Sequence, residues 1–191
     1  VTTSACMNGV VGIVDPDLPL DAGVRAAMDV RIPEGTIVNP TRPAPCGNYA
    51  KGLCVVTHLS LRALSEFEPD LGVAETGNKA SIAVNYRDDA EADEDVVHFE
   101  IMGSGYGGSR RGDGASCMAT TYESNVRFTP LEILETEYPV RVTEFSPRTD
   151  SAGPGRHRGG VGFVREYEPL TPVDLTYNGS NHATHALGVA G

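Results

Sequence analysis

The stretch GSGYGGSRRGDGAS, Gly103 to Ser116, decides between a nucleotide-binding fold and a different architecture. Six of its first twelve residues are glycine. GSGYGG satisfies a loose GxGxxG pattern. A dinucleotide fold, however, needs a helix directly after it and an acidic residue about 20 positions on, at the end of a second strand. Here more glycine and two arginines follow, and nothing matches the GxxxxGK[ST] phosphate loop. Patterned apolar segments lie close on both sides, which excludes a flexible linker. What remains is a structured loop whose glycines let backbone come close to backbone or to a ligand. Arg110 and Arg111 can clamp a carboxylate or a phosphate, and Asp113 can bind a metal, orient a group or pair with an arginine. The plain alternative is a surface loop with an internal ion pair.

Working outward, VVHFEIMG (96–103) and ASIAVNYRDD (80–89) alternate like strands. With the acidic run DDAEADED (88–95) they read as a β-hairpin with a solvated tip. Further upstream, Leu53, Val56, Leu61 and Leu64 predict a helix from Tyr49 to Phe67, stopped by Pro69. VTTSACMNGVVGIV (1–14) is small-residue rich and reads as a helix or a strand. VRAAMDVRIP (24–33) reads as a strand entering a turn at PEGT, and NPTRPAPCGN (39–48) as an extended, proline-fixed loop.

Downstream, TPLEILETEYP predicts a short helix with Thr129 as N-cap, Pro130 in first position and Glu132 in the capping-box position. VRVTEFSPRT, FVREYEPL and VDLTYNGS read as strands. Turn signals recur roughly every 8–12 residues, which suggests a sandwich or barrel. The fold class expected is α+β: a mixed segment over 1–102 with one clear helix, and a β-rich segment over 103–191 that starts at the glycine loop.

Composition narrows the function. A net charge of −11 argues against nucleic-acid binding, because phosphate backbones need faces rich in Lys and Arg. No apolar run approaches the roughly 20 residues of a membrane span. The absence of Trp, with only 6% aromatic residues, weighs against a sugar-binding module built on stacking. Cys6, Cys46, Cys54 and Cys117 form no CxxC pair, and the expectation is reduced, mostly buried thiols in a cytoplasmic protein. No signal peptide is read at Val1, and the chain is expected to be a fragment of a longer polypeptide.

The histidines give weaker signals. His182 and His185, beside Asn181, have a spacing that can present two metal ligands, but nothing points to a third, and polar loop residues are the plainer reading. His98, inside an apolar strand, reads as a satisfied core or rim residue. His58 and His157 have no Ser or Cys partner in a catalytic motif. The second glycine turn, SAGPGRHRGGVG (151–162), alternates Arg156 and Arg158 around His157. Such arginines can bind an anion or pair with acidic segments of a neighbouring chain; solvated charges on a turn are the alternative.

Three stretches in order resemble one family. They are VRIPEGTIVNPTRPAPCGN (30–48), GSGYGGSRRGDGAS (103–116) and TPLEILETEYPVRVTEFSPRTDSAGPGRHRGGVGFVREYE (129–168). Together they are similar to the hydantoinase B/oxoprolinase family, and the series covers nearly the whole chain. The resemblance implies the B-type subunit of an ATP-dependent cyclic-amide hydrolase within a hetero-oligomer. An A-type, ATP-binding partner phosphorylates the substrate; the B-type component acts on the activated lactam or imide. Related subunits serve ketone carboxylases of the acetone and acetophenone type. A non-catalytic scaffold for the ATP-binding subunit is a third possibility.

The resemblance also implies a divalent metal (Zn, Mn or Fe), held by His and Asp residues of a motif close to GGTH. No such motif occurs here, so the metal is expected on sequence outside this chain and no ligand is assigned within it. The glycine loop then becomes a wall of the substrate site or of a subunit interface. Asp113, Arg110 and Arg111 are its candidate catalytic residues. Gly105, Gly107, Gly108 and Ser116 are its candidate substrate contacts.

Overall fold

Leu53, Thr57, Leu61 and Ser65 recur every fourth residue and are all buried, so one stripe of a single helix faces a partner. The computed structural model describes residues 1–47, 49–77, 80–87, 96–118, 126–180 and 182–189. They form helices and antiparallel sheets, an α+β fold. The acidic run 88–95 and Asn181 lie outside the described residues. The chain divides into two compact units.

The first unit comprises Val1–Glu75, Ser109–Arg111 and Leu187–Gly191. Its helices are α1 (Thr2–Val14), α2 (Ala22–Ala27) and α3 (Tyr49–Phe67). The periodic stretch is therefore α3 with the expected bounds, and the small-residue stretch at the start is a helix. The two pack along a seam of small side chains. A Cβ on Gly9 would lie 3.0 Å from the Thr57 carbonyl oxygen and 3.2 Å from the Ser60 Cβ. The Thr57 hydroxyl donates to the Ala5 carbonyl at 3.3 Å, satisfying itself in a dry contact.

The strand expected over 24–33 is not formed. Asp21 caps α2 instead: its Oδ1 accepts from the N–H groups of Gly23 (2.8 Å) and Val24 (3.1 Å). The local cap favours a helical turn over Ala22–Ala27, and among the described residues no strand pairs with 28–33. The PEGT turn is present. Gly35 takes φ +77°, and its N–H donates to the Asn39 carbonyl at 2.9 Å.

The second unit comprises Thr76–Gly108 and Gly112–Ala186. Strands β1 (Ala80–Tyr86) and β2 (Val96–Met102) pair antiparallel, from Ala80 opposite Met102 to Tyr86 opposite Val96. The hairpin expectation therefore holds for the pairing. A short helix α4 (Leu131–Glu137) and strands β3 (Val140–Pro147), β4 (Phe163–Pro169) and β5 (Val173–Gly179) follow. β5 returns to the other edge of β1, giving the order β2-β1-β5, while β3 and β4 form a two-stranded ribbon. Among the described residues the expected sandwich or barrel takes this simpler open form.

The inward face of β1 supplies Ile82, Val84 and Tyr86 to a core completed by Leu134 of α4 and Val140 of β3. α4 starts one residue later than the capping-box pattern predicts. Pro130 is its N-cap, and no side-chain cap bond is made. The fixed φ of proline sets the entry, and burial of Leu134 holds the turn in place.

Candidate functional site

The two glycine-rich stretches of the second unit interlock. Ser104 and Met118 exchange both backbone hydrogen bonds, at 2.7 and 2.9 Å. The Tyr106 N–H donates to the Ala115 carbonyl, and its own carbonyl accepts from Gly160, both at 2.8 Å. The Gly114 N–H reaches the Arg158 carbonyl, and the Cys117 N–H the Val161 carbonyl, again at 2.8 Å. The run 151–162 is thus stitched backbone to backbone onto the flanks of the run 103–116. The space a Cβ on Gly105 would need is filled by the carbonyl group of Gly160, and that of Gly160 by the carbonyl group of Ala115. Glycine is required there by close approach of main chain to main chain.

This geometry locates the residues singled out in the sequence. Asp113 is exposed, and its Oδ1 accepts from the Arg158 N–H at 2.8 Å. The same oxygen lies 3.6 Å from Nδ1 of His157. Ser116 accepts from the Val161 N–H at 3.1 Å through its hydroxyl. Gly108 is buried against the carbonyl oxygens of His157 (2.7 Å from a notional Cβ) and Arg158 (2.9 Å). Gly105 is buried and Gly107 half-buried in the same knot. These five residues come together. Arg110 and Arg111 belong to the first unit. There Arg110 forms an ion pair with Asp70, and the Arg111 N–H donates to the Ser109 hydroxyl at 3.2 Å.

A second polar cluster was not singled out in the sequence. His98 and Glu100 are two apart on β2, and Arg165 and Tyr167 two apart on β4, so each pair shares a face. His98 is 3% exposed, Glu100 5%, and the Arg165 side chain 0%. Arg165 Nη1 donates to Glu100 Oε1 at 2.5 Å, and the Tyr167 hydroxyl donates to the other carboxylate oxygen. The guanidinium also lies 5.0 Å from the ring centroid of Phe145 and 5.5 Å from that of Tyr167.

The buried charges are therefore paired, as a dry interior demands. His98 is buried as a core histidine, but it is not satisfied. Among the described residues neither ring nitrogen has a hydrogen-bond partner, and Arg165 Nε also lacks one. Burial pushes the His98 pKa below its usual value, with Glu100 opposing and Arg165 reinforcing the shift. Burial, together with the hydrogen bond and the charge of Glu100, raises that of the Tyr167 hydroxyl. The available sequence signal was a pair of polar residues at period two in each strand, HFE in one and REY in the other; on β2 the side that carries His98 and Glu100 is buried while Val97 and Phe99 are exposed.

In the first unit, His58, Arg62, Ser65, Val73, Glu75 and Leu187 line a narrow crevice. Burial lowers the His58 pKa against the opposing charge of Glu75. His182 and His185 are exposed, and His182 packs on the Tyr177 ring at 5.5 Å. The four cysteines form no disulfide with one another, but only Cys54 is buried; Cys6 and Cys117 are half-buried and Cys46 is exposed, which corrects the expectation of mostly buried cysteines. Among the described residues no three His, Cys, Asp or Glu side chains converge to hold a metal ion. No described helix is long and apolar enough to cross a membrane.

Comparison with known proteins adds relatives to this geometry. The chain is 32% identical over 92% of its length to an uncharacterised protein of Methanocaldococcus jannaschii, covering 30% of that protein. It is 30% identical over 87% of its length to the B-type subunit of a putative D-/L-hydantoinase from Pseudomonas sp. strain NS671, covering 27% of it. It is also 30% identical over 91% of its length to 5-oxoprolinase 1 of Arabidopsis thaliana, covering 13% of it. The chain thus spans less than a third of the length of these relatives. Its fold matches the nucleotide-free structure of acetone carboxylase with a TM-score of 0.73 at 22% identity, over 96% of this chain and 25% of that one. The hydantoinase B/oxoprolinase family matches over residues 1–191, and the chain belongs to that family.

Proposed function

We propose that the chain is part of the B-type subunit of an ATP-dependent hydrolase of cyclic amides, acting on a lactam or imide activated by an A-type, ATP-binding partner subunit. The family match over residues 1–191 carries this reading. The relative named as the B-type subunit of a hydantoinase supports a hetero-oligomer. In this reading the complex is cytoplasmic and its divalent metal (Zn, Mn or Fe) is held outside this chain, so no chemical step is routed through it here. The glycine knot forms one wall of the substrate site. Asp113 supplies a charged group to it, and Ser116, Gly105, Gly107 and Gly108 shape it; Arg110 and Arg111 are proposed as catalytic residues with no place in that wall assigned to them.

The test is turnover by the full-length polypeptide assembled with its ATP-binding partner. Ring opening of hydantoin or 5-oxoproline, coupled to ATP consumption, is the expected result. Carboxylation of acetone with bicarbonate and no ring opening would replace this reading with the ketone carboxylase, which the fold likeness to acetone carboxylase favours. The scaffold reading draws support from Asp113, whose carboxylate is occupied by a backbone N–H. Substitutions of Arg110, Arg111 and Asp113 that leave turnover intact in an assembled complex would select it. A tenfold loss of turnover, about 1.4 kcal/mol of barrier, would exclude it.

A further inference from the structure

Glu100 and Arg165 stand at the roots of the glycine knot. β2 ends at Met102 and runs straight into the first glycine-rich run; β4 begins at Phe163, where the second run ends. Glu100 lies five residues before Gly105, and Arg165 five residues after Gly160, the two glycines whose main chains touch. Yet β2 belongs to the sheet β2-β1-β5 and β4 to the separate ribbon β3-β4, so among the described residues no strand ladder sets one against the other. Side chains make the link instead. Arg165 Nη1 donates to Glu100 Oε1 at 2.5 Å, and the Tyr167 hydroxyl donates to the other oxygen of the same carboxylate.

Aromatic rings fix the arginine for this contact. Its guanidinium lies 5.0 Å from the ring centroid of Phe145, 5.5 Å from Tyr167 and 5.7 Å from Phe128. Phe128, Phe145 and Phe163 pack edge to face around it, with centroids 4.8 to 5.7 Å apart. An intact buried ion pair adds little net stability, because desolvating two charges cancels most of their attraction; its best-attested use is to fix register. The apolar contact of Ile82 and Val84 with Val140 is non-directional and resists sliding weakly. A charge-assisted hydrogen bond sets direction as well as distance. The knot needs that constraint. Tyr106 bonds to both Ala115 and Gly160 at 2.8 Å, and the space beside Gly105 is filled by the Gly160 carbonyl group, so the runs have no slack in which to slide.

We propose that Glu100 is a positioning residue of the glycine knot: clamped by Arg165 and Tyr167, it sets the register in which the run after β2 meets the run before β4. It acts through the two strands that carry those runs. The register role rests on contacts within this chain; its value for turnover rests on the hydrolase reading, in which the knot is a wall of the substrate site. Asp113, Ser116, Gly105 and Gly108 all lie on the knot. A slip between the runs displaces them together, and a misplacement of about 1 Å in a catalytic constellation costs up to about 100-fold in rate.

The experiment is amide hydrogen exchange on the full-length polypeptide. It is read at the N–H groups of Tyr106, Gly114, Cys117 and Gly160, which bond across the knot, and along the central strand β1. In Glu100→Leu/Arg165→Met both charges leave together, so stability is kept while the directional link is lost. Its knot amides are expected to exchange about tenfold or more faster than in the wild type, with β1 amides within about twofold. Glu100→Gln keeps an oxygen for Arg165 and is expected to hold knot exchange within about threefold of the wild type. Should the double variant not fold, Tyr167→Phe removes one hydroxyl only, and a rise of about threefold at the knot with none at β1 is expected. Knot and β1 rates that rise together, or wild-type knot exchange in the double variant or, failing it, in Tyr167→Phe, overturn the proposal. Ring-opening turnover of the assembled complex is measured in parallel. A loosened knot with full turnover supports the register role and removes the knot from the substrate site. Lost turnover over an unchanged knot overturns the register role alone, and a wild-type complex that opens no ring sinks the hydrolase reading alone.

Discussion

Asp113 holds the backbone N–H of Arg158 at 2.8 Å, joining two glycine-rich runs 45 positions apart. One exposed carboxylate oxygen thereby anchors the loop that bears Arg156 and Arg158, and this makes its contribution separable by substitution. Asp113→Ala removes the acceptor and is expected to lower stability by about 1 kcal/mol, the usual net worth of such a bond near solvent. Asp113→Asn keeps a carbonyl oxygen in the same place and is expected to melt within about 0.5 kcal/mol of the wild type. Urea unfolding of the two variants measures this. A turnover assay on Asp113→Asn then separates anchoring from chemistry, since a charge-dependent catalytic role is lost with the fold intact.

The knot makes a sharp distinction among glycines. Gly105→Ala drives a methyl group into the carbonyl group of Gly160, a residue whose N–H is bonded to the Tyr106 carbonyl. It is expected to destabilise by about 3 kcal/mol, at the upper end of overpacking effects. A Cβ on Gly153, in the facing run, meets nothing within 4 Å, and Gly153→Ala is expected to stay within about 0.5 kcal/mol of the wild type. Thermal melting of both proteins checks the pair.

The Glu100–Arg165 pair gives a double-mutant test. Arg165→Met leaves the Glu100 carboxylate buried without its cation, and a loss of about 3–5 kcal/mol is expected. Adding Glu100→Leu removes the stranded charge and is expected to restore most of that loss. If the double variant were as unstable as Arg165→Met alone, the cation–aromatic contacts with Phe145 and Tyr167 would carry the energy instead of the charge pair.

The buried histidine makes stability depend on pH. The folded pKa of His98 is depressed below 6.5 by burial, so the unfolded chain binds the proton more readily. Stability is then complete above about pH 6.5 and is lost as pH falls from there towards the folded value. The slope from one such group reaches at most about 1.4 kcal/mol per pH unit. His58 acts in the same direction, so His98→Gln is expected to flatten the acid limb of the stability curve in part, with the remainder due to His58. Tyr167 has the opposite signature. Its pKa is raised, so its contribution is lost as pH climbs above about 10, where the unfolded tyrosine ionises.

Local signals in the sequence determined the elements whose stability is decided nearby. α3 was legible from Leu53 to Leu64 because a helix writes its buried stripe every three to four residues, and Pro69 marks where it stops. β1 and β2 were legible because each alternates and the two are neighbours in the chain. Residues 24–33 misled because strand-like residues say nothing about whether a partner strand exists, whereas the Asp21 cap acts within three positions. The glycine run could be recognised as structured and as unlike a phosphate loop. Its partner could not be read, because Gly105 meets Gly160, and Asp113 meets Arg158, only after the chain has closed a long loop. The same holds for Glu100 and Arg165, 65 positions apart. Periodicity determined which side of each strand they occupy. Only the tertiary structure decided that they bury each other, because pairing a charge in the interior depends on what the rest of the fold brings to it.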